Sequence, residues 1–189
     1  MNERLENVMK SSQLLYDNKF TQFRRVISDK INGYTFLHEI RCDGEIISIL
    51  PYRIDEDSGE FEFLVRSEAT PCWEIEKPVL SSITGGVEAN DTVEMTVIKE
   101  LEEETGYKVY PDKLIYLGEC YGTKSVSTEY YIYSVDLTGY EQTSPLCIES
   151  ELDELSGCEW VSEDELTNLK DPFIFVAYTR LMKYLFRDE

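Results

Sequence analysis

Apolar and polar residues alternate along much of this chain, and only a few stretches depart from that two-residue beat. Alternation puts successive side chains on opposite faces of an extended segment, so most of the chain reads as strand. Residues 21–41 are strand material, with Asn32-Gly33 as the hairpin turn between Arg24–Ile31 and Tyr34–Arg41. Asp43-Gly44 offers a turn into Ile46–Tyr52, and Asp57-Ser58-Gly59 another into Phe61–Arg66. Lys113–Glu119, Glu129–Leu137 and Gly157–Val161 continue the same pattern. Elsewhere the spacing becomes helical. Leu5, Val8, Met9, Ser12, Leu15 and Tyr16 form one stripe and predict a helix over 3–16, either packed on its own domain or reaching out as a dimer arm. Residues 162–169 predict a short acidic helix capped by Ser162 with Glu165 three positions on, and 172–186 a final apolar helix. Ser144–Asp153 is the expected loose loop, and there is no internal repeat. Strands, a helix set mid-chain, more strands and a terminal helix make an α+β fold.

The mid-chain helix carries the chemistry. Val93, Val97 and Leu101, with Ile98 beside them, predict its buried stripe. Asp91 with Glu94 has capping-box spacing, Gly106 suits a left-handed stop, and Tyr107 is placed to pack back on the last turn. Glu100, Glu103 and Glu104 share one face at the border of the apolar stripe. Like charges so placed repel, and a hard divalent cation such as Mg2+ is their natural compensation, bridging carboxylates to phosphate oxygens. The alternative is a solvated acidic face, common in a chain this acidic.

The run Gly85–Tyr107 reads as a glycine loop, a capped helix carrying carboxylates and a glycine stop, and it resembles the Nudix box: a glycine, five residues, Glu, seven residues, then Arg-Glu-aliphatic-x-Glu-Glu-x-Gly-aliphatic. Gly85, Glu100, Leu101, Glu103, Glu104 and Gly106 match it, while Asp91 replaces Glu, Lys99 replaces Arg and Tyr107 replaces the last aliphatic residue. Lys99 keeps the charge but lacks arginine's planar fork for orienting a carboxylate. The resemblance implies a Nudix α/β/α sandwich around a mixed β-sheet over 45–189, with residues 1–44 as an N-terminal helix and strand extension. It implies a hydrolase of a nucleoside diphosphate linked to another moiety, working by metal-assisted attack of water on phosphorus, with Mg2+ or Mn2+ as cofactor. Glu100 and Glu104 become the expected metal ligands, Glu103 a ligand or the water-activating group, and the Thr84 carbonyl a main-chain ligand. Lys99 takes the place of the box arginine, and Gly85 and Gly86 line the substrate.

Weaker likeness extends over residues 20–186, toward the ADP-ribose pyrophosphatase and nucleoside-diphosphate-sugar branch. That branch implies a homodimer built by the N-terminal strands, a phosphate- or ribose-binding role for Arg66, and a loop carboxylate at Glu129 as base or metal partner. The branch's Ser-Pro-Gly in that loop is absent, as is its downstream proline. Dinucleoside polyphosphates, dinucleotides or nucleoside triphosphates are the alternative substrates, and a catalytically weak nucleotide-binding module is the alternative from another class. Trp73, Tyr121, Tyr130, Tyr131 and Tyr133 could stack on a base, or pack within the sheet instead.

Charge narrows the partners. A net charge of −20 argues against polymeric nucleic acid and anionic membranes, and leaves a small nucleotide whose site needs a neutralising cation. No apolar run is long enough to span a bilayer and no secretory signal opens the chain, so a cytoplasmic location is expected. The five cysteines, Cys42, Cys72, Cys120, Cys147 and Cys158, form no metal or disulfide pattern. The single histidine, His38, reads as a strand residue facing solvent or as a hydrogen-bond partner.

Overall fold

The alternating segments assemble into sheets in a computed structural model that describes residues 3–40, 42–145 and 156–187. Helix α1 (Glu3–Lys10) leads into a three-stranded antiparallel sheet, β1 (Ser12–Asp17), β2 (Thr21–Ser28) and β3 (Ile31–Glu39). A second sheet has the order β8-β4-β10-β9, from β4 (Glu45–Ile49), β8 (Ile83–Gly86), β9 (Leu114–Tyr121) and β10 (Glu129–Val135). Here β4 and β10 run parallel and the other pairs antiparallel, so the sheet is mixed. The third sheet is ordered β11-β6-β5, from β5 (Tyr52–Ile54), β6 (Phe61–Glu68) and β11 (Gly157–Ser162), with β7 (Val79–Ser81) also on β6. Helix α2 (Val93–Thr105) is the mid-chain helix; α3 (Glu163–Leu166) and α4 (Pro172–Leu185) close the chain.

Alternation feeds two cores. Ile47, Ile49, Leu64, Tyr133 and Val135 pack with Val97 and Leu101 of α2, whereas Phe63, Val65 and Ile132 pack with Ile174, Ala177 and Leu181 of α4. Neighbours such as Phe63 and Leu64 therefore enter opposite layers, as the pleat requires. The result is the expected α/β/α sandwich around mixed sheet. Among the described residues no helix is long and apolar enough to cross a membrane.

The N-terminal region departs from expectation. Helix α1 ends at Lys10, and Ser12–Asp17 is a strand paired with β2. Ser12 returns its hydroxyl to the Met9 carbonyl at 3.1 Å, a local bond that competes with helix propagation. The hairpin turns at Asp29-Lys30, since Ser28 faces Ile31 across the ladder. Asn32-Gly33 lies inside β3, where the register slips between Arg25 and Ile27 and Gly33 has φ 80°. The glycine's left-handed freedom serves a bulge rather than a turn. Helix α1 packs on its own chain: Leu5 is fully buried, and Arg4 donates to the Ser127 carbonyl at 3.2 Å. His38 is buried, with Nδ1 3.0 Å from Ser127 Oγ; burial pulls its pKa down, against the opposing pull of Asp43. Most of the expected loop Ser144–Asp153, and Cys147, lie outside the described residues.

Candidate active site

Helix α2 starts one residue later than expected. Thr92, in extended conformation, is the N-cap and accepts a hydrogen bond from the Met95 amide, so Asp91 stands outside the helix. The stop is as expected. Gly106 has φ 76° and its amide bonds the Glu102 carbonyl at 2.9 Å, while Tyr107 turns inward and meets Trp160 edge to face.

The glycines before the helix are strand, not loop. Thr84, Gly85 and Gly86 lie in β8 opposite Ser48, Ile47 and Ile46 of β4. Glu100 lies directly over Gly85: a Cβ on that glycine would overlap the glutamate's carboxyl group, and one on Gly86 would come within 2.9 Å of Cys42. Gly85 is therefore what lets a carboxylate of α2 settle onto the β8 backbone. From the third sheet, Arg66 Nη1 reaches Glu104 Oε1 at 2.6 Å, and its Nε is 3.5 Å from Glu68. Arg66 is nearly buried, and Nε has no hydrogen-bond partner. So Gly85, Glu100, Glu104 and Arg66 come together across the seam between α2, β8 and β6, with Glu103 near enough to repel Glu100.

The other expected residues stand apart in varying degree. Lys99 pairs with Glu88 at 3.6 Å on the loop leading into α2, and Glu88 and Glu103 both push its pKa up. Glu129 is buried at the start of β10, accepting from Tyr121 at 2.8 Å and facing Arg4 at 3.6 Å. Trp73 is half-exposed in the turn between β6 and β7. Of the other aromatics, Tyr130 stacks on Phe173, and Tyr131 donates to Glu45 at 3.0 Å. Two contributors escaped the sequence reading. Buried Asp171 caps α4 and accepts from both the Ser82 amide and hydroxyl at 2.7 Å, clamping the corner that enters β8. Cys158 faces Arg66 across the ladder and lies 3.6 Å from the Glu104 carbonyl; burial pushes its thiol up to about 12, so it stays neutral. An aspartate before proline at a helix start is a legible cap, but its partner in β8 is not.

Among the described residues no three His, Cys, Asp or Glu side chains are already gathered around one point. The donor chemistry still fits a hard cation. Burial, then Glu104, then Glu103 push the Glu100 carboxyl up to about 7, while Lys99 and Arg66 only partly oppose this. A cluster that resists its own ionisation is one a divalent ion would relieve. A pH signature follows. The folded protein holds Glu100's proton more tightly than the unfolded chain does, so stability is lost as pH rises from about 4.5 to about 7. Allowing for solvent at a half-buried carboxyl, the loss is about 2 kcal/mol. Melting curves in EDTA are expected to show this loss in wild type and not in Glu100→Gln. Mg2+ should raise the wild-type melting temperature at pH 7.5 and leave it unmoved near pH 5. Equal curves for both proteins would remove Glu100 as the titrating group.

Residues 47–181 match the NUDIX domain family. The chain belongs to that family. A Nudix domain over this span includes the box, both cores and the Arg66 strand, and places the protein among the hydrolases of phosphoric anhydrides. No curated protein matches this Nudix sequence. In fold it is similar to a protein described as an ADP compounds hydrolase, with 15% identity over 92% of this chain and 91% of that one, at a TM-score of 0.62. It is also similar to a proposed NUDIX hydrolase from Listeria monocytogenes str. 4b F2365, with 20% identity over 76% of this chain and 94% of that one, at a TM-score of 0.53. At such identities the likeness is one of fold.

Proposed function

We propose that this Nudix protein hydrolyses the diphosphate of a nucleoside diphosphate linked to another moiety, ADP-ribose or a nucleoside-diphosphate sugar first, with Mg2+ as cofactor and Mn2+ as substitute. One observation carries the reading: Glu100 settles over Gly85, and Glu104, near enough to push the Glu100 carboxyl up, holds the Arg66 guanidinium. Glu100, Glu104 and the Thr84 carbonyl would hold the cation, with Glu103 as a further ligand. Bound there, a divalent ion supplies positive charge for the anhydride oxygens and acidifies a water. Arg66, which holds Glu104 through Nη1, is the group proposed to bind and orient a phosphate oxygen, a role suited to a planar fork. Glu103 is the first choice to take the proton of the attacking water. Glu129 is the second; to serve, it would exchange its ties to Tyr121 and Arg4 for that water. Trp73, exposed at the turn after β6, is the proposed lip of the substrate cleft, and Gly86 part of its floor.

Residues 1–44 are proposed as an extension outside the Nudix domain of 45–189. Their sheet exposes Leu14, Leu15, Tyr16, Phe23, Ile27 and Ile31, apolar side chains that a partner surface could cover. A homodimer covering that sheet is the proposed assembly, and cytoplasm the proposed location. A second reading, nucleotide binding with weak turnover, is favoured by Lys99, whose ammonium is engaged with Glu88.

A turnover panel tests both readings. The protein with Mg2+ or Mn2+ meets ADP-ribose, nucleoside-diphosphate sugars, dinucleotides, dinucleoside polyphosphates and nucleoside triphosphates, with products resolved by chromatography. AMP plus ribose 5-phosphate from ADP-ribose is the expected result. A monophosphate plus pyrophosphate from a triphosphate would move the substrate class. Saturable nucleotide binding without products would establish the binding module.

A further inference from the structure

A second cleft lies across α2 from the box carboxylates. Glu94 and Glu100 are six residues apart, which turns them about 120° around the helix axis. Glu100 faces β8, at one edge of the second sheet, whereas Glu94 faces Tyr133 of β10, next to β9 at the other edge. Between Glu94 and those strands is a cleft of about 410 Å³ lined by Tyr116, Tyr131 and Tyr133, with Val93 and Leu114 among its walls. The Tyr116 and Tyr133 rings lie 5.0 Å apart and inclined by 44°.

Each of these tyrosines gives its hydroxyl proton to a carboxylate. Tyr116 donates to Glu119 at 2.6 Å, Tyr131 to Glu45 at 3.0 Å and Tyr133 to Glu94 at 3.3 Å. Burial first, then Glu119 for Tyr116 and Glu94 for Tyr133, push these two phenols up, so both keep their protons. Donation to an anion leaves the ring richer in electrons, and the ring face is where a cation is attracted. Three carboxylates surround the aromatic group, and the whole chain carries −20. This setting repels anions such as nucleotide phosphates and draws cations in. The apolar walls suit methyl groups, which a bare metal ion or a primary ammonium with its tightly held water does not present.

We propose that this cleft binds an alkylated ammonium cation, a quaternary or methylated amine, on the faces of Tyr116 and Tyr131, with buried Tyr133 backing the Tyr116 ring and Glu94 as counter-charge. The site is separate from the pyrophosphatase centre and stands whether or not that reading holds. Half-exposed Tyr116 gives the ligand its way in.

The probes are choline and tetramethylammonium, with 3,3-dimethylbutan-1-ol as the uncharged counterpart of choline. They are titrated into the full chain carrying labelled tyrosine rings and followed by NMR. Choline is expected to saturate and to shift the Tyr116 ring, with the alcohol at least about tenfold weaker. Glu94→Gln should weaken choline about tenfold and Tyr116→Leu should remove saturable binding, while Tyr116→Phe, which keeps the ring, retains most of it. Turnover of the nucleotide substrate should be unchanged in all of these variants. Equal binding of choline and the alcohol would overturn the proposal, as would choline binding that survives Tyr116→Leu. Displacement of choline by adenosine would instead make the cleft a base pocket. If Tyr116→Leu does not fold by circular dichroism, the comparison of choline with its uncharged counterpart decides.

Discussion

Glu100→Gln and Glu104→Gln are each expected to lower metal-dependent turnover about a thousandfold, roughly 4 kcal/mol of transition-state stabilisation. Both remove a charged oxygen donor from the seam over Gly85. Their effects on stability should have opposite signs. In the metal-free protein Glu100 is an unwelcome charge, held up by burial and two like neighbours, so the neutral amide should stabilise by about 2 kcal/mol at pH 8. Glu104 instead satisfies Arg66 at 2.6 Å in a mostly buried pair. Its amide leaves the guanidinium under-compensated, and a loss of about 2–3 kcal/mol is expected. Steady-state kinetics with Mg2+ beside urea melts in EDTA separate the two. Losses of activity that merely followed stability would leave Glu100→Gln active, and that result would sink the assignment of the box carboxylates to the reaction.

What the sequence made legible was what depends on nearby residues. The stripe Val93, Val97, Leu101 and the stop at Gly106 define α2 through contacts within a turn or two, and both stand in the structure. The same holds for the capping box of Ser162 with Glu165. Glu100 and Glu104 sharing a face is also a local fact. Reading failed where a local signal has more than one outlet. Asn-Gly announces positive φ, but whether that becomes a turn or a bulge depends on the partner strand; β2 takes it as a bulge opposite Val26. Leu15 and Tyr16 fit a helical stripe, yet both lie in β1, where Tyr16 pairs with Phe23 of β2 and Leu15 sits at the register slip. Gly85-Gly86 reads as loop because glycine weakens strands; here the missing side chain makes room for Glu100 and Cys42, neither adjacent in sequence. Arg66 on Glu104 is 38 positions away along the chain, and periodicity carries no information about such a meeting. The clamp of Asp171 on Ser82 is longer still, at 89 positions.

Gly106→Ala is expected to be among the most damaging single substitutions in the chain, although the residue touches no substrate. Two costs add. At φ 76° an alanine sits in the left-handed region, which costs about 1–2 kcal/mol. Its Cβ would also overlap the Thr143 carbonyl oxygen, a backbone atom that cannot rotate away. Thr143 is fixed there because its amide and hydroxyl both bond the Gly106 carbonyl, at 3.0 and 2.7 Å. Relieving the overlap therefore breaks the strap that ties the segment after β10 to the end of α2, where the Gln142 amide also holds the Thr105 carbonyl. A total of about 3–5 kcal/mol is expected, a fall in melting temperature of roughly 10 °C for a chain of this size. Glu103 and Glu104 lie in the turn that this glycine ends, so turnover per folded molecule should fall as well, with a higher Mg2+ requirement. Thr143→Val keeps the backbone bond and loses only the hydroxyl, so about 1 kcal/mol is expected there with Mg2+ dependence unchanged. Melts and Mg2+ titrations of the two variants, run side by side, distinguish a stop that shapes the carboxylate turn from one that only ends a helix. Should Gly106→Ala lose stability while keeping its Mg2+ requirement, the turn's geometry does not reach the site.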